Sequence, residues 1–289
     1  MSISAVILSF NAQDDLDRCV RSLIAAENLQ ADNDQILIVD NGSTDGSKAL
    51  INRLEAAYPD LVEGIDLPTN HGTTVSRNLA FAQARGDYVL VIDSDIDFKR
   101  PVLQSLIAEL AIDPSIGIIV PRLIFPSGQV QMSTDVFPTV KRKIERLIRL
   151  RSLEKQTETN SGTSEIVDYA ISAFWLMRRD LLHTVGELDE RIFYAPEDVD
   201  FCLRTWLSGK KIVYRPDLEV VHDAKERSRS LKGLLFAWRH LMGLAYFFDK
   251  HGYFWRTDDV YQRIREAHSG AIASGGNYPV GDVPGMARG

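Results

Sequence analysis

Short apolar runs and amphipathic stretches alternate through the first 125 residues of this chain. The runs at 4–9, 35–40, 62–66, 88–93 and 117–123 have strand length. Where they are apolar at successive positions, as in 88–92, they predict strands buried on both faces. Between them, helical spacing predicts helices over 14–26, 47–57, 73–84 and 102–111. In the first, Leu16, Val20, Leu23 and Ile24 form one stripe and Asp14-Asp15 opens it. The alternation predicts an α/β fold, a Rossmann-like and mainly parallel sheet flanked by helices with right-handed crossovers.

After residue 123 the rhythm changes. Phe125-Pro126-Ser127-Gly128-Gln129 reads as a hairpin turn, 139–151 as a strongly basic helix and 156–165 as a polar loop. An apolar segment at 172–178 leads to helices over 179–185 and from Pro196 to Ser208. Short strands follow at 211–215 and 218–221, then an aromatic-rich helix over 230–250. This divides the chain into 1–125 and 126–225 as two halves of one domain, a helical extension over 226–268 and a tail over 269–289. From Gly270 onward the tail holds six of the 19 glycines and no periodicity, so it is expected to lack order.

Composition narrows the function. With 289 residues, 45% hydrophobic and 25% charged, the chain has ample core. A formal charge of −7 argues against a nucleic-acid partner. An acidic chain that handles an anionic ligand must raise positive potential locally, through a metal, an Arg or helix N-termini. Cys19 and Cys202 are far apart and make neither a disulfide framework nor a zinc site, which suits a reducing, cytoplasmic compartment. The N-terminus lacks a basic leader and reads as a first strand. No apolar run reaches the ~18–20 residues of a membrane span. The expectation is a soluble or at most peripheral protein.

Three predicted strands end in polar residues: Ser9-Phe10-Asn11, Asp40-Asn41-Gly42 and Asp93-Ser94-Asp95. Ligands of open α/β sheets bind outside the carboxyl ends of the strands, so three such endings on one edge predict a ligand crevice. Two carboxylates one residue apart suit Mg2+ or Mn2+ holding a phosphate; alone, a turn cap explains them equally well. Gly42–Ser47 fails as a Walker loop, since three residues separate its glycines and Ser47 precedes Lys48; a helix-capping turn is the better reading. Asp40 is placed to accept hydrogen bonds from a base or ribose. Arg77 is either a fork for phosphate oxygens or an exposed helix-face charge. Glu197 and Asp198 follow Pro196, where ordinary helix capping also favours acids, and Asp200 either caps too or pairs with Arg204. His222 ends an apolar run and, alone, is an ordinary core or surface residue.

Taken together, residues 3–250 resemble the family 2 glycosyltransferases of GT-A fold. The resemblance lies in Ser9-Phe10-Asn11, the run Ile38 to Ser47, Arg77-Asn78, Gly86-Asp87-Tyr88 and Asp93-Ser94-Asp95. The stretches Gly186 to Phe193 and Glu197 to Arg204, with Val220-Val221-His222 downstream, resemble the rhamnosyltransferase-like branch. This implies an inverting transfer from a nucleoside-diphosphate sugar, with dTDP-rhamnose or a UDP-hexose as donor, to a glycan or lipid-linked hydroxyl. It implies nucleotide-sugar contacts from Ser9, Phe10, Asn11, Asp40, Arg77, Asp93 and Ser94. Asp93, Asp95 and His222 would hold Mn2+ or Mg2+. Asp198 matches the catalytic base, with Glu197 beside it as the fallback. Ala195 and Pro196 depart from the aromatic or apolar residues usual there, and 70–78 matches the family loosely. The basic helix at 139–151 is either a solvated face or a dock for anionic lipid or a lipid-linked diphosphate acceptor, which would place the chain peripherally at the inner face of the plasma membrane. The alternative function is a non-catalytic nucleotide-sugar-binding or assembly protein. A glycoside hydrolase would not need a nucleotide crevice, and no Gly-x-Gly-x-x-Gly follows the first strand to support a dinucleotide oxidoreductase. Oligomeric state is left open.

Overall fold

The computed structural model describes residues 2–142, 164–224 and 233–273. Its strands are β1 (Ile3–Ser9), β2 (Gln35–Asn41), β3 (Val62–Leu67), β4 (Tyr88–Asp93), β5 (Ile96–Asp97), β6 (Ile116–Ile124), β7 (Thr134–Asp135), β8 (Glu165–Val167), β9 (Tyr169–Ala170), β10 (Phe174–Arg178) and β11 (Lys211–His222). Its helices are α1 (Gln13–Glu27), α2 (Ser47–Ala57), α3 (Gly72–Phe81), α4 (Leu103–Ile112), α5 (Asp180–Val185), α6 (Glu197–Leu207), α7 (Gly233–His251) and α8 (Asp258–Ala273).

One mixed sheet organises the chain, in the order β3-β2-β1-β4-β10-β6-β11-β5, with β8 also pairing β11. The first four strands are parallel. β10 runs antiparallel to both its neighbours, and β6 and β11 are parallel again. The sheet thus interleaves the two halves divided at residue 125, because β10 lies between β4 and β6. β7 and β9 make a separate two-stranded sheet.

The apolar runs are continuous because helices cover both faces of the sheet. In β4, Leu90 and Ile92 join the cluster that includes Leu16 and Leu23 of α1, Leu54 of α2 and Leu106 of α4. Val89 and Val91 point the other way, into a cluster with Phe81 of α3, Trp206 of α6 and Phe247 of α7. There Trp175 stacks on Phe201 with ring centroids 5.4 Å apart. Cys19 and Cys202 are free and buried, and burial pushes both thiols well above their ordinary range.

Several expected boundaries change. The two short strands expected at 211–215 and 218–221 form one strand, β11, with a register shift between Arg215 and Glu219 that absorbs Pro216. The helix expected over 73–84 starts at Gly72 and ends at Phe81. α8 runs on through Gly270 to Ala273, into the segment expected as tail; an isolated Gly is tolerated in a helix at a cost of about 1 kcal/mol. Residues 274–289, most of the basic helix at 139–151 and 156–163 of the polar loop lie outside the described residues. β5, which the sequence did not suggest, pairs antiparallel with the last residues of β11.

α6 and α7 are locked together by a buried ion network. Asp200, fully buried, accepts hydrogen bonds from Arg204 Nε and His251 Nε2, both at 2.8 Å, and pairs with Lys250 Nζ at 2.7 Å. The pairing with Arg204 excludes a capping role alone. Burial by itself would raise the Asp200 carboxyl, but the His251 hydrogen bond and the Arg204 and Lys250 charges outweigh it and hold it at about 2. A folded-state value below the unfolded one contributes stability at neutral pH that is lost as pH falls from about 4 to about 2, worth about 2 kcal/mol. Urea unfolding across that interval is expected to show a shallower acid slope for Asp200→Asn than for the wild-type chain; equal slopes would contradict the assignment.

Candidate active site

The carboxyl ends of β1, β2 and β4 open on one edge of the sheet, where the polar strand endings meet. At the end of β1 the Ser9 side chain is buried, with no hydrogen-bond partner for its Oγ, and Phe10 is partly exposed. Asn11 takes a left-handed backbone, φ 51°. Its Oδ1 accepts from Thr44 N at 2.7 Å while its own N–H donates to Ser43 Oγ at 2.9 Å, tying the loops after β1 and β2 together. Asp40 is buried and accepts from Ser43 N at 3.3 Å. Asp45 Oδ1 accepts from Ser47 N at 2.9 Å, which makes the 42–47 segment the helix-capping turn expected of it.

Asn41, given no role of its own in the polar ending Asp40-Asn41-Gly42, organises the next loop. It accepts from His71 N at 2.8 Å and donates to the carbonyl of Gly72 at 3.2 Å. Two glycines are demanded by these approaches. Gly42, φ 74°, lies so close to Thr69 that a Cβ would stand 2.6 Å from its backbone carbon; at Gly72, φ 84°, a Cβ would stand 2.4 Å from the Phe193 carbonyl.

Arg77 is not an exposed helix-face charge. Its side chain is 1% exposed. Nη2 donates to Asp93 Oδ1 at 2.8 Å and to the Ser172 carbonyl at 3.1 Å, and Nη1 lies 3.8 Å from Glu197 Oε1. Glu197 is buried and also accepts from Ser172 Oγ at 3.2 Å. One buried cation therefore links the acid at the end of β4 to the first acid of α6. Asp198 is half-buried and accepts from Val199 N at 2.8 Å. The two adjacent acids thus occupy different environments, one consumed by an internal ion pair and one at the surface of the helix N-terminus.

Asp93, Ser94 and Asp95 form the turn between β4 and β5. Antiparallel pairing of Ile96 with His222 and of Asp97 with Val221, together with Asp223 N donating to the Asp95 carbonyl at 3.0 Å, swings the end of β11 against this turn. One ligand atom from each of Asp93, Asp95 and His222 falls within a sphere where all lie within 4.8 Å of one another. His222 Nε2 stands 3.1 Å from Asp95 Oδ1, an oxygen that lacks a well-aligned hydrogen bond. Burial and repulsion from Asp95 push the Asp93 carboxyl above its ordinary value against the pull of Arg77. Burial would lower His222, but the hydrogen bond and charge of Asp95 outweigh it and raise it. Two carboxylates and an imidazole converging on one point, with an under-satisfied carboxylate oxygen, fit a divalent cation.

Comparison with known proteins gives the same direction. Residues 4–186, more than half of the chain, match the family model described as Glycosyl transferase family 2. The chain is 26% identical over 275 residues to N-acetylglucosaminyl-diphospho-decaprenol L-rhamnosyltransferase of Mycobacterium tuberculosis (strain CDC 1551 / Oshkosh), covering 88% of this chain and 87% of that protein. Among solved structures, it resembles the mannosyltransferase PcManGT from Pyrobaculum calidifontis in complex with GDP-Man and Mn2+. The TM-score is 0.54 at 15% identity, over 96% of this chain and 76% of that one. It also resembles S. aureus TarS 1–349 in complex with UDP-GlcNAc, with a TM-score of 0.58 at 19% identity over 92% of this chain and 71% of that one. At these identities the solved structures speak for the fold, a GT-A sheet flanked by helices.

Removing Arg77 leaves Asp93 and Glu197 facing a crevice floor without their shared counter-charge. Arg77→Ala is expected to lower the free energy of unfolding by about 3 kcal/mol, measured by denaturant titration at neutral pH. A loss below about 1 kcal/mol would show that the buried cation does not balance these acids.

Proposed function

The chain belongs to Glycosyl transferase family 2, and from that premise we propose that it is an inverting, metal-dependent enzyme acting on a nucleoside-diphosphate sugar. The acceptor is a hydroxyl of a glycan or lipid-linked saccharide. The observation that carries the reading is the convergence of Asp93, Asp95 and His222 beside the polar strand ends. Similarity to a rhamnosyltransferase acting on a decaprenol-linked diphosphate supports dTDP-rhamnose as donor, with a UDP-hexose as the competitor, and a lipid-linked acceptor. Such an acceptor would bring the chain to a membrane surface. No described helix is long and apolar enough to cross one, and the basic stretch at 139–151 is the segment proposed to meet it.

In this reading Phe10 offers an aromatic face to the nucleobase, and Asp40 accepts from the base or ribose with the lone pairs that Ser43 leaves free. Ser9 and Asn11 line the same pocket, and Ser94 lies beside the diphosphate. Arg77 acts through Asp93, fixing its carboxylate from below. Asp93, Asp95 and His222 hold Mn2+ or Mg2+. A cation held there would supply Lewis acidity toward the leaving nucleoside diphosphate. Asp198 accepts the proton from the acceptor hydroxyl as that oxygen attacks the anomeric carbon from the opposite face. Glu197 keeps Arg77 in place and leaves the proton to its neighbour. The competing reading, a non-catalytic nucleotide-sugar-binding protein, accounts for the crevice and leaves Asp198 without a task.

A panel of nucleotide sugars with Mn2+ or Mg2+, read first by thermal shift and then by transfer, tests the donor, since selective binding stabilises the native state. Asp198→Asn is expected to lower kcat by about 10²–10⁴ while donor binding persists. Wild-type turnover in that variant would exclude Asp198 as the base. Excess EDTA is expected to abolish transfer and added Mn2+ to restore it; full activity in EDTA would refute the cation requirement.

A further inference from the structure

The hairpin that follows β6 has no role in the reading so far, yet it ends on a polar contact inside the cation cluster. Phe125 N donates to the Gln129 carbonyl at 2.8 Å, and Gly128 N to the Phe125 carbonyl at 2.8 Å. Gly128 takes the left-handed backbone, φ 82°, that the tight turn needs. The returning arm bridges Ile124 through Val130, and Gln131 N donates to the Leu123 carbonyl at 2.9 Å. β6 itself is in register with the end of β11, with Ile124 opposite Val221. This places Gln131 beside His222, and the Gln131 Oε1 to His222 Nδ1 distance is 2.7 Å.

We infer that Gln131 is the positioning residue for His222: its amide oxygen accepts the Nδ1 proton and so leaves Nε2 as the nitrogen turned toward Asp95. An imidazole has two nitrogens, and the hydrogen bond made by one decides which of them carries the lone pair for a cation. His222 is buried, with 7% of its side chain exposed, so solvent competes poorly with Gln131 for Nδ1. Nε2 is the nitrogen 3.1 Å from the Asp95 carboxylate, on the side where the three ligand atoms converge. The hairpin thus supports the cation cluster from outside it, and the ring is fixed both in rotation and in tautomer. The inference rests on the assignment of Asp93, Asp95 and His222 as the cation site.

The test is Mn2+ binding to the isolated full-length protein, followed by the EPR signal of free Mn2+, with imidazole 15N spectra of the protein in Mg2+ alongside. Gln131→Leu is expected to weaken Mn2+ binding by about 10- to 100-fold and to populate both tautomers of His222. Gln131→Glu, which keeps an acceptor at Nδ1, is expected to retain wild-type affinity or exceed it and to hold the Nδ1–H tautomer. Asp95→Asn separates the two ideas. If it binds Mn2+ as the wild type does, the cation site itself is misplaced. If it loses Mn2+ while Gln131→Leu keeps wild-type affinity and tautomer, the cation site stands and the role of Gln131 falls. Tighter binding in Gln131→Leu would mean that the amide donates to Nδ1, which also overturns the inference.

Discussion

Two carboxylates one residue apart at the end of a buried strand need counter-charge, and the arrangement of the active edge follows from where it is found. Arg77 supplies it from beneath, through a helix that buries its guanidinium almost completely against Asp93. His222 meets Asp95 from the side, its Nε2 3.1 Å from the carboxylate. Coulomb attraction at these separations is strong in a poorly solvated setting and weak in water, so burial of the two partners matters as much as their charge. The same Arg77 reaches Glu197, which couples the acids of the first half of the chain to the helix that carries Asp198. The crevice is thereby a single charged unit assembled from β4, α3, β11 and α6.

That unit exists because the sheet is not simply sequential. β10 enters between β4 and β6 and brings Ser172 under Arg77. β11 lies alongside β6, and its last residues pair with the short β5 that follows the Asp93-Ser94-Asp95 turn. His222 is 127 positions from Asp95 in sequence and adjacent in space only through these two pairings. On the far side, the Asp200 network joins α6 to α7 and keeps the N-terminus of α6, with Asp198, in a fixed relation to the strand ends.

The strands of the first half were legible in the sequence because burial on both faces leaves continuous apolar runs, and the polar residues that end them mark the edge. The carboxylate pair suggested a cation motif by its spacing, with a turn cap an equally good explanation, and nothing local pointed to the histidine that the fold brings beside it. Less was legible where context decides. Arg77 follows Ser76 and precedes Asn78, and nothing local distinguishes a buried cation from an exposed one. β5 is two residues long and carries no period. The break expected between 215 and 218 is instead a register shift within one strand, at Pro216. Gln131 is one amide in a polar hairpin, and only its distance to His222 gives it meaning. Asn41 stood directly after a residue already singled out, and its hydrogen bonds to the loop at 71–72 depend on a turn that the sequence only hints at through Gly42 and Gly72.

Membership in the family accounts for the fold and the class of reaction, and the proposed cation site at Asp93, Asp95 and His222 is how a chain of net charge −7 would handle a diphosphate. The most direct measurement is a crystal structure of the protein grown with UDP and Mn2+, with the metal located by its anomalous scattering. The account predicts a single strong peak within bonding distance of the Asp95 carboxylate and His222 Nε2, with the diphosphate on its open side. A peak elsewhere in the crevice, or a bound nucleotide diphosphate with no metal at these side chains, would contradict it.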